Sequence, residues 1–250
     1  MRIKGLAFVA GIILLATAAM AQKKVSPKEY EGFMAIQNAT TPDARIAAAD
    51  KFVTSFADSH LKGAALFMAA DAAQRKNDSP KAIAYAQSCL EADPKNYQAM
   101  LLISGELAKG TRENDLDKEE KLSRSEKLAN DAMATIKTAE KPNAQLPDDQ
   151  WAAYKKDMES QAQEDLGLAA MARKKYPDAI AHFKTAVDTA ANVDPATMVR
   201  LANAYDQSGK PDDGIAVLDK VLATPNLNPV IKQFATSEKA RAEAAKAGKK

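Results

Sequence analysis

The chain has 250 residues, of which 46% are hydrophobic and 27% charged, a composition typical of a folded protein rather than a disordered one. Its 35 basic and 33 acidic residues give a formal net charge of +2, which provides no electrostatic basis for binding nucleic acid. A single cysteine, Cys89, excludes an internal disulfide.

Residues 1–21 have the three parts of a secretory signal peptide. Arg2 and Lys4 precede an apolar run over residues 6–15, and small residues lead to an Ala-x-Ala site that ends at Ala21. The apolar run is shorter than the ~20 residues that a spanning helix needs. We therefore expect cleavage after Ala21 and a mature chain with no stable membrane span and no net charge. The leader predicts a bacterial periplasmic protein; secretion and an uncleaved N-terminal membrane anchor are the alternatives.

The rest of the chain is predicted to form successive helix pairs. The apolar residues are rich in alanine, which has the highest helix propensity, and no sustained two-residue alternation indicates strands. The predicted helices cover residues 30–39 and 42–56, 66–73 and 80–91, 97–108 and 123–138, then a long stretch over 151–174, helices that begin near Pro177 and Pro211, and a Lys/Ala-rich helix after Ile231.

Segments of the chain repeat at a spacing of 34 or 35 residues, which indicates an array of stacked units. At a spacing of 34, Ala48, Phe52 and Phe56 match Ala82, Ala86 and Leu90. At a spacing of 35, Leu166, Ala179, Phe183 and Val187 match Leu201, Gly214, Leu218 and Leu222.

These residues resemble the tetratricopeptide repeat (TPR) family, whose pattern is W-x₂-L-G-x₂-Y, then A-x₃-F-x₂-A, then P. Leu166-Gly167 supply the L-G pair, and Ala179, Phe183 and Ala186 reproduce A-x₃-F-x₂-A. Residues 52–59, FVTSFADS, are similar to the end of a repeat common in exported envelope members of the family, although Ala57 replaces the proline. The resemblance implies an all-α fold: a right-handed superhelical array of about five helix hairpins.

Two irregular stretches interrupt this array. KGTRENDLDKEE, residues 109–120, is roughly nine residues longer than the turn of a regular hairpin. KPNAQLPDD, residues 141–149, precedes the long helix. We therefore predict an N-terminal block over residues 25–140 and a C-terminal block, with the terminal helix, over residues 147–250.

Catalytic or metal-binding groups are scarce in the sequence. His60 and His182 have no second His or Cys at the spacing of a zinc site, so both are predicted to be ordinary solvent-side residues. Cys89 is predicted to lie in the core, as is Trp151, for which an exposed binding anchor is the alternative. The acidic residues 113–120 lack the frame of a calcium loop. We therefore predict that the chain is not an enzyme and that it binds no cofactor or metal.

The family resemblance implies a groove lined by the first helices of successive hairpins, which receives a protein or peptide segment. The groove positions carried over to this sequence are Phe67, Asp71, Leu101, Glu164, Leu168, Val199 and Asn203. Packing between repeats is the alternative for each of them. The predicted function is a protein-binding scaffold or adaptor of the cell envelope. An accessory or regulatory subunit that acts through its convex face or C-terminal helix is the alternative.

Overall fold

A computed structural model describes residues 25–247, and every regular element in this range is an α-helix. The predicted leader lies outside the described residues. The helices, in chain order, are α1 (Pro27–Asn38), α2 (Pro42–Ser55), α3 (Lys62–Arg75), α4 (Ser79–Ala92), α5 (Tyr97–Gly110), α6 (Lys118–Thr138), α7 (Asp148–Ala172), α8 (Tyr176–Thr189), α9 (Pro195–Gln207), α10 (Pro211–Leu222) and α11 (Pro229–Ala247). The predicted all-α fold of about five hairpins is confirmed.

The starts of these helices follow from proline and short polar side chains. Proline occupies the first or second position of α1, α2, α4, α8, α9 and α10, where its missing N–H leaves no hydrogen bond unmade. Ser26, Thr41 and Asp78 then cap their helices by accepting a backbone N–H at 3.2 Å. The predicted helix starts at Pro177 and Pro211 are confirmed.

One turn geometry ends three of the first helices. Asn77, Lys174 and Gly209 have φ of 58°, 61° and 80°, in the left-handed region. In each turn the following residue donates its N–H to a carbonyl five residues earlier, as Lys175 does to Ala170 at 2.9 Å. This is the Schellman ending of a helix. The repeat in sequence is therefore also a repeat in backbone conformation.

The chain divides into two compact units, which we describe separately. The first contains residues 25–106 and 134–151, and the second contains residues 107–133 and 152–247. Helices α5, α6 and α7 each contribute residues to both units. The borders of these units differ from those of the predicted blocks, 25–140 and 147–250, and the blocks stay a prediction.

The core of the first unit combines a ring cluster with an alanine-rich helix. Phe33 and Phe52 pack edge to face with their ring centroids 5.7 Å apart, and both are 1% exposed. On α3, Ala65, Ala69 and Ala73 are fully buried. Because alanine keeps the surface of a helix flat, neighbouring helices pack directly against it. The helix α3 packs against both α2 and α4.

The second unit is packed around Phe183 and Leu218, which are at most 1% exposed. A Cβ atom built on Gly167 would lie 2.7 Å from Cδ1 and Cε1 of Phe183, so α7 and α8 approach too closely for a side chain there. Likewise, a Cβ on Gly214 would lie 2.9 Å from the carbonyl oxygen of Ala202.

The first irregular stretch is shorter than the sequence indicates. Helix α5 extends to Gly110 and α6 begins at Lys118, so the predicted loop over residues 109–120 is reduced to residues 111–117. Glu119 and Glu120 lie in the first turn of α6, where acidic side chains interact favourably with the helix dipole. None of the described helices combines the length and apolarity that crossing a membrane requires.

Candidate functional site

Three predicted groove residues of the second unit line one surface depression. Leu168 on α7 and Val199 and Asn203 on α9 border a cavity of about 230 Å³. Its remaining lining residues are Met171, Phe183, Arg200 and Glu238. Leu168, Val199 and Asn203 are each partly exposed, so their side chains are accessible to a partner.

A second depression, also of about 230 Å³, lies between α9 and α11. It shares Val199, Arg200 and Glu238 with the first depression and adds Ala196, Ile231 and Phe234. Phe234 is 62% exposed and lines this depression together with Val199 and Ile231. We call the two depressions together the second-unit groove.

Glu164, also predicted to face the groove, fixes Arg200 in place. Its Oε1 lies 2.9 Å from Nη1 of Arg200, and its Oε2 accepts a hydrogen bond from Thr197 Oγ1. The Glu164 side chain is 14% exposed, whereas that of Arg200 is 34% exposed. Glu164 therefore holds the guanidinium at the groove surface and has itself little surface to offer a partner.

Glu238 joins the two sides of the second depression. Its Oε2 accepts a hydrogen bond from Asn203 Nδ2 at 3.1 Å and lies 2.6 Å from Nη2 of Arg241. The same guanidinium lies 3.2 Å from Asp206 Oδ2. Charge-assisted hydrogen bonds of this kind are the stronger ones in proteins. They hold α11 against α9, and so keep the groove open in one geometry.

The predicted groove residues of the first unit do not gather in the same way. Phe67 and Asp71 are half-buried on α3, and Asp71 forms an ion pair with Arg75 one turn later at 2.9 Å. Leu101 is 1% exposed and belongs to the core. The prediction that Leu101 faces a groove is wrong, because α5 is apolar on nearly all sides and buries this position too.

A wider depression of the first unit, about 420 Å³, lies beside α1 and α2. Lys28, Glu31 and Lys51 border it, and Phe52 and Phe56 form its apolar part. The two lysines and the glutamate are exposed. Their charges are therefore screened by water, and the depression holds no buried polar group that would orient a ligand.

Sequence reasoning missed seven of the residues that line the groove: Met171, Phe183, Ala196, Arg200, Ile231, Phe234 and Glu238. The repeat spacing of 35 could have found three of them, since Ala196 matches Ile231, Val199 matches Phe234 and Asn203 matches Glu238.

The remaining chemical candidates lie away from the groove. His182 is half-buried and its Nδ1 lies 2.9 Å from Gln163 Oε1, so the prediction that it is a solvent-side residue is wrong. His60 is exposed, as predicted. Burial lowers the pKa of His182. Cys89 is fully buried, as predicted, and burial raises the pKa of its thiol to about 12.

Trp151 is 8% exposed, which agrees with a core position.

Over residues 25–247, no group of three or more His, Cys, Asp or Glu side chains could hold a metal ion. The acidic residues of the α5–α6 loop are instead paired with lysines. Lys121 lies 3.1 Å from Asp115 and 2.8 Å from Asp117. The pKa of Asp115 is lowered by a hydrogen bond from the backbone of Arg112 and by Lys121.

Comparison with known protein families gives two matches. Tetratricopeptide repeat models match residues 63–96, which contain α3 and α4, and residues 170–237, which contain α8 to α10 and the start of α11. The chain carries tetratricopeptide repeats. They include Val199, Asn203 and Phe234 of the second-unit groove.

A solved structure supports the fold. A tetratricopeptide repeat protein of Thermus thermophilus is 14% identical with a TM-score of 0.57, over 84% of this chain and 94% of that one. MamA is 18% identical with a TM-score of 0.38, over 72% of this chain and 95% of that one. A tetratricopeptide repeat protein of Parabacteroides merdae is 15% identical with a TM-score of 0.38, over 87% of this chain and 90% of that one. No curated protein matches the chain.

Tetratricopeptide repeats generally mediate contacts between proteins, and the fold is typically that of a non-catalytic scaffold. Such repeats stack so that each unit buries the apolar face of its neighbour, and the stack presents an extended surface. In the second unit that surface is formed by the first helices α7 and α9 and by α11. The second-unit groove lies on this surface.

Proposed function

We propose that the chain is a non-catalytic scaffold or adaptor of a bacterial cell envelope, and that it holds a segment of a partner protein in the second-unit groove. One observation carries this proposal. Leu168 on α7 and Val199 and Asn203 on α9 line one depression, and the exposed Phe234 on α11 lines the next. Apolar side chains at the centre and charged ones around them are the usual composition of a protein interface.

The polar groups of the groove support binding rather than catalysis. Arg200 and Glu238 are each engaged by a neighbour, in ion pairs of 2.9 Å and 2.6 Å. Catalysis needs a nucleophile or base next to a group that orients it, and the groove contains no His, Cys, Ser or Lys among its lining residues. The partner is therefore held by shape, apolar contact and hydrogen bonds.

The envelope location is part of the proposal and is supported by the leader alone. Export through the inner membrane followed by cleavage after Ala21 would release a periplasmic chain. Its mature N-terminus would be Gln22. Sequencing the N-terminus of the protein recovered from a periplasmic extract tests this: Gln22 supports release, and Met1 supports an uncleaved anchor.

Peptide display tests the groove. The chain from Gln22 is immobilised and random peptides are selected on it, and the selected peptides are then measured on two variants. Leu168→Glu places a charge in the first depression, and Leu116→Glu makes the same change at a fully exposed loop position of the same unit. We expect Leu168→Glu to lower affinity at least about tenfold and Leu116→Glu to leave it unchanged. Equal binding by both variants, with unchanged circular dichroism, would rule out the groove.

An accessory role through the C-terminal helix is a second candidate, favoured by the exposure of Phe234 on α11. Removing α11 does not separate the two functions, because Ile231, Phe234 and Glu238 belong to the groove. Ala244, which is exposed on α11 and does not line the groove, separates them. Ala244→Glu should impair partner capture only if the outer face of α11 is the working surface.

A further inference from the structure

The two depressions of the second-unit groove have the size of single side chains. Each has a volume of about 230 Å³, below the range of roughly 300–1,000 Å³ typical of cofactor and drug-sized pockets. Their walls include Leu168 and Met171 in one case and Ala196 and Ile231 in the other. Each is therefore suited to one apolar side chain of a longer ligand.

The spacing of the depressions restricts how that ligand runs. Val199, Arg200 and Glu238 line both, so the depressions are direct neighbours, one repeat apart. The helices α9 and α11, which carry the second depression, are packed against each other. Packed helices lie about 8–10 Å apart. A ligand that crosses the helices must therefore present two apolar side chains on one side at a similar distance.

Polyproline II geometry meets this condition with a short segment. It has three residues per turn and rises about 3.1 Å per residue, so residues i and i+3 lie on one side about 9 Å apart. In a β-strand, residues i and i+3 point to opposite sides, and i and i+2 are about 7 Å apart. A helix needs two full turns, residues i and i+7, to span about 10.5 Å.

The polar residues between the depressions favour the polyproline II segment over a helix. Arg200 and Glu238 line both depressions, where the backbone between the two apolar side chains would pass. A polyproline II backbone has no internal hydrogen bonds and offers its carbonyls to a donor such as the Arg200 guanidinium. A helix has already used these groups internally. Arg200 and Glu238 also carry opposite charges, which suits a segment without strong net charge.

We infer that the second-unit groove binds a near-neutral, proline-rich segment in the polyproline II conformation, with apolar side chains at positions i and i+3, one in each depression. This inference rests on the proposed protein-binding function and specifies its partner. A helical segment with leucines seven residues apart is the competing occupant.

Three fluorescent peptides test the inference by anisotropy with the chain from Gln22. The first is Ser-Pro-Leu-Pro-Pro-Leu-Pro-Ser, with leucines at i and i+3. The second has the same composition in the order Ser-Pro-Leu-Pro-Leu-Pro-Pro-Ser, with leucines at i and i+2. The third is an alanine-rich helical peptide with leucines at i and i+7. We expect the first to bind at least about tenfold more tightly than the others, the effect of one additional buried anchor.

Variants then assign the binding to the groove. Val199 lines both depressions, so Val199→Glu should abolish binding of the first peptide. If Val199→Glu does not fold, the milder Val199→Thr, which keeps the shape of the side chain, takes its place and should weaken binding of the first peptide. Phe234→Ala should weaken binding about tenfold, and Leu116→Ala, the same kind of truncation at an exposed loop position, should not.

The outcomes separate the inference from the function on which it rests. If the helical peptide binds as well as the first and Val199→Glu abolishes that binding, the polyproline II partner is wrong and the groove function stands. If the second peptide binds as well as the first, the i and i+3 spacing is wrong. If binding is insensitive to Val199→Glu, both are wrong. If no peptide binds in the millimolar range, the inference is overturned, and the peptides selected by display decide the function.

Discussion

Gly167→Ala is the sharpest test of how the second unit is packed. Gly167 lies in α7 against the ring of Phe183, and an added Cβ would be 2.7 Å from two ring carbons and 3.0 Å from a third. Real Cβ atoms do not approach that closely, so the ring or the helix must move. The ring cannot move freely, because Phe183 is fully buried.

Two effects of opposite sign set the magnitude. Alanine in place of glycine in a helix interior stabilises the helix by about 1 kcal/mol. Overpacking a tight core typically costs about 1–3 kcal/mol. With a contact of 2.7 Å to a buried ring, overpacking is the larger effect. We expect Gly167→Ala to lower the free energy of unfolding by about 1 kcal/mol.

Gly110→Ala is the matched control, because a Cβ on Gly110 at the end of α5 would meet nothing within 4 Å. It should be neutral or stabilise by about 0.5 kcal/mol. Urea unfolding followed by circular dichroism measures both variants. In a Phe183→Leu background, where the contacting ring is absent, Gly167→Ala should no longer destabilise. A Gly167→Ala protein at least as stable as Gly110→Ala would show that the close crossing does not constrain the unit.

Three further changes have expected outcomes in the same assay. Arg173→Met should lower the free energy of unfolding by about 1–2 kcal/mol, because the Arg173 side chain is 11% exposed and pairs with Glu126 at 2.6 Å. Removing the exposed side chain of Lys127 should have little effect. Lys174→Gly should stabilise by about 1 kcal/mol, since lysine is strained at a φ of 61°. The Cys89 thiol has a pKa of about 12 in the folded chain and about 9 in the unfolded chain. Between pH 9 and pH 12 only the unfolded chain loses this proton, so the free energy of unfolding should fall by about 1.4 kcal/mol per pH unit. Cys89→Ala should remove this contribution to the pH dependence.

Much of the fold could be predicted because the repeat fixes spacing and residue size together. Small residues recur in the repeat pattern, and the structure buries Ala82 and Ala179 of this pattern completely. The helix starts followed from proline and capping side chains, which act locally and need no tertiary information. Cys89 was assigned to the core on the same pattern, and it is 0% exposed.

Exposure of single side chains could not be predicted in the same way. Leu101 has the position of a groove residue in its helix but is 1% exposed, because its surroundings are set by what packs on α5. His182 lies on a helix whose neighbouring residues Ala181 and Lys184 are exposed, yet it contacts Gln163 on α7. In both cases the deciding contact comes from another helix, and a repeat pattern within one chain segment does not contain it.

The groove arises where equivalent positions of successive repeats differ, and this difference gives it a direction. Glu164, Val199 and Phe234 occupy the same repeat position at a spacing of 35 on α7, α9 and α11. Their side chains change along the groove from a charged residue that is 14% exposed to an aromatic one that is 62% exposed. A segment bound across these helices therefore meets the aliphatic side chains of Leu168 and Met171 at one end and the exposed ring of Phe234 at the other. Because the two ends differ in chemistry, the groove can select one orientation of the bound chain.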